Sequence, residues 1–213
     1  MRLYLSSFGL GNKPEELLKL LGGKKRAAII MNAGDASPVE RRAASLIRET
    51  ENLKGLGLGP VEVDLRCYFG RPDALREALE GFDMLWVRGG NCFVLRRAFR
   101  QSGADEVVLD LLNRDAIVYA GYSAAIDMLM PSLHGSELVD DPNTVPDGYD
   151  SPVVWEGLNL IHYAVAPHYK SDHPESADID KCVEYLIDNH ILFKALRDGE
   201  AIVVDAQGER VVG

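Results

Sequence analysis

A serine stands at the junction between two different sequence patterns. Residues 118–122 form an apolar run typical of a buried strand, and the spacing after Ser123 is helical. A sharp turn from strand to helix lifts the serine hydroxyl towards the free N–H groups of the helix, which can stabilise an oxyanion. Gly121 and Ala124 are small enough for that turn, while Ala125 replaces the second glycine of the GxSxG pattern. The pattern indicates a nucleophilic serine, with a helix-capping serine as the alternative.

The Gly89-Gly90-Asn91 segment also follows an apolar run and begins a helical pattern. Backbone amides in such a turn can donate to an oxyanion, and the Asn91 side chain can orient a polar group of a substrate. The simpler alternative is a tight turn. Cys92 lies at the start of the same helix, where a thiol can become a nucleophile, but a cysteine at such a position is more often a packing residue. We expect Cys92 to pack.

A histidine follows a third apolar run, residues 164–166. Open α/β sheets place their sites at the ends of strands, so His168 is the candidate general base. Asp172, His173 and Glu175 lie in the same segment, and they either support the histidine or, as the weaker alternative, bind a metal ion. Helix capping and surface charge explain His173 and Glu175 more simply.

Apolar runs alternate with segments of helical spacing along the whole chain. This alternation predicts an α/β fold, a three-layer sandwich with a largely parallel central sheet. The predicted strands are 2–6, 26–32, 61–65, 84–88, 117–120, 162–166, 201–205 and 210–212. The predicted helices are 14–21, 38–52, 73–80, 92–101, 106–113, 123–130 and 175–189. We expect a single domain over residues 1–213, with the loop-rich segment 135–157 forming one wall of a cleft.

Composition limits the partners of the chain. Of its 213 residues, 46% are apolar and 26% are charged, which is the composition of a globular protein. The net charge of −10 would repel nucleic acid. No apolar run is long enough to span a membrane, and the N-terminus does not read as a signal peptide. Three widely spaced cysteines indicate reduced thiols, and we therefore expect a cytoplasmic protein.

The three segments, in their order and spacing, resemble the peptidase E family of serine peptidases, which includes the aspartyl dipeptidases. The resemblance rests on Gly89-Gly90-Asn91, on Gly121-Tyr122-Ser123-Ala124 and on Pro167-His168-Tyr169, and it covers most of the chain. It implies a fold like that of class I glutamine amidotransferases. It also implies a single peptidase E-like catalytic domain that hydrolyses short peptides, with dipeptides that begin with aspartate among the candidates.

The resemblance assigns roles to particular residues. Ser123 matches the nucleophile and His168 the base, while Gly90 and Ala124 match the backbone donors to the oxyanion. Asn91 matches the asparagine that lines the substrate site. A small peptide is the implied partner, and the implied mechanism requires no metal and no organic cofactor. From the composition we expect no nucleic acid and no membrane as partners, and a homodimer is left open.

The third member of the implied triad is an acid in the segment after the nucleophile helix. We take Glu137 as this acid, with Asp140 and Asp141 as the alternatives, because a short insertion or deletion would change which carboxylate faces His168. In this mechanism the acid orients the histidine, the histidine takes the proton of the serine, and the hydroxyl attacks the peptide carbonyl.

The sequence also departs from the family pattern. Cys92 stands where threonine is usual, and Ala125 stands where glycine is usual. The arginine with which aspartyl dipeptidases hold the acidic side chain is missing from residues 175–180, so Lys170 and Arg88 are the candidate substitutes. We expect a weaker preference for aspartate than in those relatives. The alternatives to a peptidase are a non-catalytic binding protein of the same fold and a hydrolase of another amide.

Overall fold

The computed structural model describes all 213 residues, and it is built on a seven-stranded sheet with the strand order β3-β2-β4-β5-β1-β8-β9. The five strands from β3 to β1 are parallel, whereas β8 and β9 each run antiparallel to the preceding strand. The bounds are β1 Arg2–Ser6, β2 Arg26–Ile30, β3 Gly59–Glu62, β4 Met84–Val87, β5 Val118–Tyr122, β8 Ala201–Asp205 and β9 Gly208–Val212.

Helices connect the parallel strands and cover the sheet. They are α1 Pro14–Leu21, α2 Val39–Gly55, α3 Pro72–Glu80, α4 Cys92–Ser102, α5 Ala104–Asn113, α6 Ala124–Asp127 and α7 Ser176–Asp188. No helix combines the length and the apolar character needed to cross a bilayer.

Residues of the central strands pack alternately into two apolar cores, one on each face of the sheet. In β1, Leu3 and Leu5 join one core while Tyr4 joins the other, and in β4 Leu85 and Trp86 are divided in the same way. Successive side chains of a strand point to opposite faces, so a continuous apolar run indicates a strand that is covered on both sides. The predicted three-layer α/β sandwich is confirmed.

A second, two-stranded sheet lies outside the main one. It pairs β6 (Ala164–Ala166) with β7 (Phe193–Ala195) in parallel, in a register that sets Ala166 opposite Ala195. The sequence analysis predicted β6 but not β7, because three half-buried residues give too short a pattern to separate from a loop.

Helix α6 is four residues long, whereas the sequence predicted a helix over residues 123–130. The carbonyls of Met128, Leu129 and Met130 accept hydrogen bonds from the backbone of residues 158–161 in place of a further helical turn. Gly157 permits this pairing, because a Cβ atom at that position would lie 2.0 Å from the Met130 carbonyl oxygen. Helix α6 therefore ends after its first turn, close to Ser123.

Candidate active site

Strands β4 and β5 bring their carboxyl ends together at the site. A Cβ atom placed on Gly89, after β4, would lie only 2.8 Å from the Cβ atom of Ser123, which follows β5. A Cβ atom on Gly121 would lie 2.3 Å from the carbonyl oxygen of Val87. Glycine at these two positions is therefore what allows the two turns to touch.

Ser123 has the backbone conformation of a sharp strand-to-helix turn, with φ 54° and ψ −122°. A residue with a side chain is strained in this region, and such strain is found at nucleophiles on turns of this kind. Ala125 fits the turn because Gly121 has no side chain: a Cβ atom on Gly121 would lie 2.6 Å from that of Ala125. The replacement of the usual glycine by Ala125 therefore does not block the turn.

Gly90 lies in a conformation that only glycine adopts readily, with φ 143°. A Cβ atom there would lie 2.6 Å from the carbonyl oxygen of Ala33, which itself accepts the N–H of Asn91 at 3.0 Å. The N–H of Gly90 has no partner within the chain. Together with the N–H of Ala124, the first residue of α6, it is a free donor beside Ser123.

Asn91 lines the pocket, and both polar atoms of its side chain also form hydrogen bonds within the protein. Its Oδ1 accepts the N–H of Val94 at 2.9 Å and so caps helix α4, and its Nδ2 donates to the carbonyl oxygen of Asp141 at 3.0 Å. The carboxylate of Asp140 accepts the N–H of Cys92 at 2.8 Å. Both aspartates therefore fix the glycine-rich turn to the loop after α6.

His168 is paired with an acid that the sequence analysis did not identify. Its Nδ1 lies 2.7 Å from Oδ1 of Asp198, three residues after β7, while His168 itself comes two residues after β6. The hydroxyl of Ser7 donates to the same Asp198 oxygen at 2.8 Å, and it accepts the backbone N–H of His168 at 2.8 Å. Because β6 and β7 are parallel neighbours, the two residues that follow them, His168 and Asp198, lie side by side.

Our prediction that Glu137, or else Asp140 or Asp141, contacts His168 is therefore wrong. The Glu137 carboxylate accepts the N–H of Gly135 at 2.6 Å within its own turn. Asp140 and Asp141 face the glycine-rich turn, as described above. The structure brings Ser123, Gly90, Asn91 and His168 to one pocket, but it does not bring Glu137 there.

Burial holds His168 in its neutral form. The residue is 1% exposed, and desolvation lowers the pKa of its imidazole below the usual 6.5, although the Asp198 carboxylate opposes this shift. The ring of His173 stacks on it at 3.7 Å between centroids and lowers the pKa further. With Nδ1 directed at Asp198, a neutral imidazole presents an unprotonated Nε2, which is the state that a general base requires.

Cys92 packs, as expected. It is fully buried, and burial together with the carboxylates of Asp127 and Asp140 raises the pKa of its thiol well above the usual value. Burial likewise raises the pKa of Asp140 to about 6 and that of Asp127 to about 8. A thiol in these surroundings stays protonated and is a poor nucleophile.

Ser123 and His168 open into a pocket of about 600 Å³. Arg41 and Arg48 from α2 line it together with Arg88, and none of the three forms an ion pair within the chain. Arg88 donates from Nη1 to the Gly89 carbonyl at 2.7 Å, while its buried Nε has no partner. Of the two cations named from the sequence, Arg88 lines the pocket, whereas Lys170 lies over the ring of Tyr169.

This combination of fold and site defines a class of hydrolase with the class I glutamine amidotransferase-like fold. The chain belongs to peptidase family S51, whose family model matches residues 11–212. Membership of the family makes the chain a peptidase, and the serine type follows from the family. The resemblance stated from the three sequence segments is confirmed.

The relatives agree with this assignment. The chain is similar to an uncharacterized peptidase of Listeria innocua, with 28% identity over 82% of the chain and 83% of the relative. It is 28% identical to a probable alpha-aspartyl dipeptidase of Drosophila melanogaster, over 67% of the chain and 55% of that protein. It is 31% identical to peptidase E of Escherichia coli over 46% of the chain, which is 39% of that enzyme.

The fold is shared with a solved structure. A putative peptidase E protein from Listeria monocytogenes superposes with a TM-score of 0.80 at 21% identity, covering 99% of this chain and 97% of that one.

Sequence reasoning missed Asp198 and Ser7. Asp198 comes three residues after β7, a half-buried strand of three residues that includes Lys194 and so gives no apolar run. Ser7 follows β1 directly. Both are polar residues that follow a strand, but of these two strands only β1, before Ser7, was predicted from the sequence.

Proposed function

We propose that this protein is a serine peptidase that hydrolyses short peptides through an acyl-serine intermediate. In this proposal Ser123 is the nucleophile, His168 the general base, and Asp198 the acid in place of Glu137. The observation that carries the proposal is the contact of 2.7 Å between Asp198 and His168, in the pocket that also contains the strained turn at Ser123.

Each residue has a defined step in the reaction. Asp198 accepts the Nδ1–H of His168, so Nε2 takes the hydroxyl proton while Ser123 Oγ attacks the peptide carbonyl. The N–H groups of Gly90 and Ala124 donate to the oxyanion of the tetrahedral intermediate. When the C–N bond breaks, Nε2 returns the proton to the leaving amine. Water, activated by the same nitrogen, then releases the acyl group.

The three arginines of the pocket favour an anionic substrate. A buried carboxylate needs a cation or several donors to offset the loss of its hydration, and an arginine supplies both. Arg88 is the best placed of the three, because the bond from its Nη1 to the Gly89 carbonyl fixes its guanidinium beside the glycine-rich turn. We therefore assign to Arg88 the carboxylate of a short peptide, including the side chain of an N-terminal aspartate.

A dipeptide library combined with a fluorophosphonate probe tests this proposal. The wild type should react with the probe at one residue and cleave a subset of dipeptides that is enriched in acidic members. Ser123→Ala should do neither. Hydrolysis that survives in Ser123→Ala would exclude the serine mechanism, and a folded wild type that neither reacts with the probe nor cleaves any member would indicate a non-catalytic binding protein.

A further inference from the structure

A potential metal-binding cluster lies on the side of His168 that faces away from Asp198. His168, His173 and Glu175 each offer one ligand atom, and these three atoms lie within 4.8 Å of one another. Oε2 of Glu175 is 4.0 Å from Nε2 of His168 and 3.9 Å from Nδ1 of His173. Two histidines and a glutamate form a ligand set that zinc uses in proteins.

We propose that these three side chains bind Zn²⁺, and that the bound ion reversibly inhibits the enzyme by occupying Nε2 of His168. The ion is an inhibitor in this proposal and takes no part in hydrolysis. The binding of zinc depends only on the geometry of the cluster. Its inhibitory effect depends also on the proposed role of His168 as general base.

Asp198 prepares His168 to be a metal ligand. Histidines that bind a metal generally donate their other ring N–H to a carboxylate, which fixes the tautomer and raises the basicity of the ligating nitrogen. The Nδ1 contact of 2.7 Å to Asp198 provides this arrangement, and it leaves the lone pair of Nε2 on the side of Glu175. The geometry that suits a general base is therefore also the geometry that suits a zinc ligand.

Further oxygen ligands lie close to the cluster. A small cavity lined by Ser123, Asp127, Asp140 and Glu175 adjoins the cluster, so two further carboxyl groups lie beside the glutamate.

Binding requires one rearrangement, a rotation of His173. The two imidazole rings are stacked within 7° of parallel, so lone pairs that lie in the ring planes cannot converge on one ion. The ring of His173 lines the open pocket, and its Nδ1 is held only by a long contact of 3.3 Å from the N–H of Glu175. Zinc at about 2.0–2.2 Å from each ligand would draw the three groups together.

Direct binding is the first test. The protein carries Cys67→Ser in every case, to remove the exposed thiol, and is freed of metal by a chelator. Zn²⁺ is then titrated in competition with a chromophoric chelator. One ion should bind per chain, and His173→Ala and Glu175→Gln should each weaken binding by at least about tenfold. Asp198→Asn should weaken it by about 10- to 100-fold, since the carboxylate supports the ligand.

His190→Asn is the matched control, because it removes an exposed histidine outside the pocket and should leave the affinity for zinc unchanged. Equal affinity in the wild type and in His173→Ala would overturn the site. An absorption spectrum of tetrahedral Co²⁺ that appears in the wild type and is lost in His173→Ala would support it independently of any activity.

Inhibition is the second test. Zn²⁺ should suppress both peptide cleavage and fluorophosphonate labelling of the wild type, and excess chelator should restore them. His173→Ala should need at least about tenfold more zinc for the same inhibition. Activation by zinc, or full activity with the site occupied, would overturn the inhibitory role. If no peptide is cleaved at all, the proposed function fails while the titration still reports on the site.

Discussion

The candidate triad is divided between two sheets of very different size. Ser123 and the proposed oxyanion donors lie at the ends of β4 and β5, buried strands in the middle of the seven-stranded sheet. His168 and Asp198 follow β6 and β7, which have three residues each and pair only with one another. The large sheet holds Ser123 between two apolar cores, whereas the small sheet is a ladder of three residue pairs that packs against α7 and is joined to the end of β1 by the hydrogen bonds of Ser7.

This difference predicts that substitution of Ser123 itself abolishes hydrolysis, whereas substitution of the residues beside His168 leaves a measurable residual activity with a shifted pH profile. Loss of Ser123 should therefore have a larger effect than loss of Asp198, and a substitution of His173 should have the smallest.

Loss of the nucleophile should have the largest effect. Ser123→Ala should lower kcat by about 10⁴- to 10⁶-fold, as removal of a triad serine does, with little change in thermal stability. Cys92→Ser is the control for the other candidate nucleophile, and it should retain most of the activity because the Cys92 thiol is buried and protonated. An inactive Cys92→Ser beside an active Ser123→Ala would reverse the assignment.

Loss of the acid should rank second. Asp198→Asn should lower kcat by roughly 10³- to 10⁴-fold, because the histidine loses the carboxylate that orients it and stabilises its charged form. Glu137→Gln is the matched control and should cost less than about tenfold, since Glu137 contacts only its own turn. The kcat values of these two variants decide whether Asp198 or Glu137 is the acid. A large loss of kcat in Glu137→Gln alone would restore Glu137, the acid assigned from the sequence.

The two sheets also differ in how well they could be predicted. The strands of the large sheet are continuous apolar runs, and the motifs at their ends contain glycines that the close approach of β4 and β5 requires. The apolar runs and the glycines can both be recognised directly in the sequence. The acid could not be found in the same way, because Asp198 acts through a pairing of two short strands that are separated by helix α7.

The helix after the nucleophile shows a second limit of the sequence. The pattern of residues 123–130 is helical, but tertiary hydrogen bonds to residues 158–161 replace the last turn. Local spacing predicts a helix where one begins, and the packing of a distant loop decides where it ends.

The oxyanion turn should be the third most sensitive position. Gly90→Ala should lower kcat by about 10²- to 10³-fold, because a Cβ atom 2.6 Å from the Ala33 carbonyl must displace the N–H donor. Gly148→Ala is the control: its φ is also positive, at 83°, but a Cβ atom there meets open space. Equal losses of activity in the two variants would show that backbone strain, and not the loss of a donor, is responsible.

Substrate selection should respond to a substitution in the pocket wall. Arg88→Ala should lower kcat/KM for Asp-Leu by about 10- to 100-fold, the range expected for loss of a hydrogen bond to a charged group. The values for Asn-Leu and Ala-Leu should change much less, and Lys170→Ala should change none of the three. A preference for aspartate that persists in Arg88→Ala would assign the substrate carboxylate to Arg41, Arg48 or the backbone.

The smallest effect should be a shift of the pH profile. His168 is a base only when neutral, so kcat/KM should fall as the pH drops through its pKa, and burial places that acid limb below the usual 6.5. His173 lowers this pKa, so His173→Phe, which keeps a flat ring on the imidazole, should move the acid limb to higher pH. Asp198 raises the pKa of His168, so the acid limb of the activity that remains in Asp198→Asn should move to lower pH. The profiles are measured without metal. Opposite shifts in the two variants would identify the imidazole of His168 as the group that titrates. Shifts in the same direction would assign the acid limb to another group.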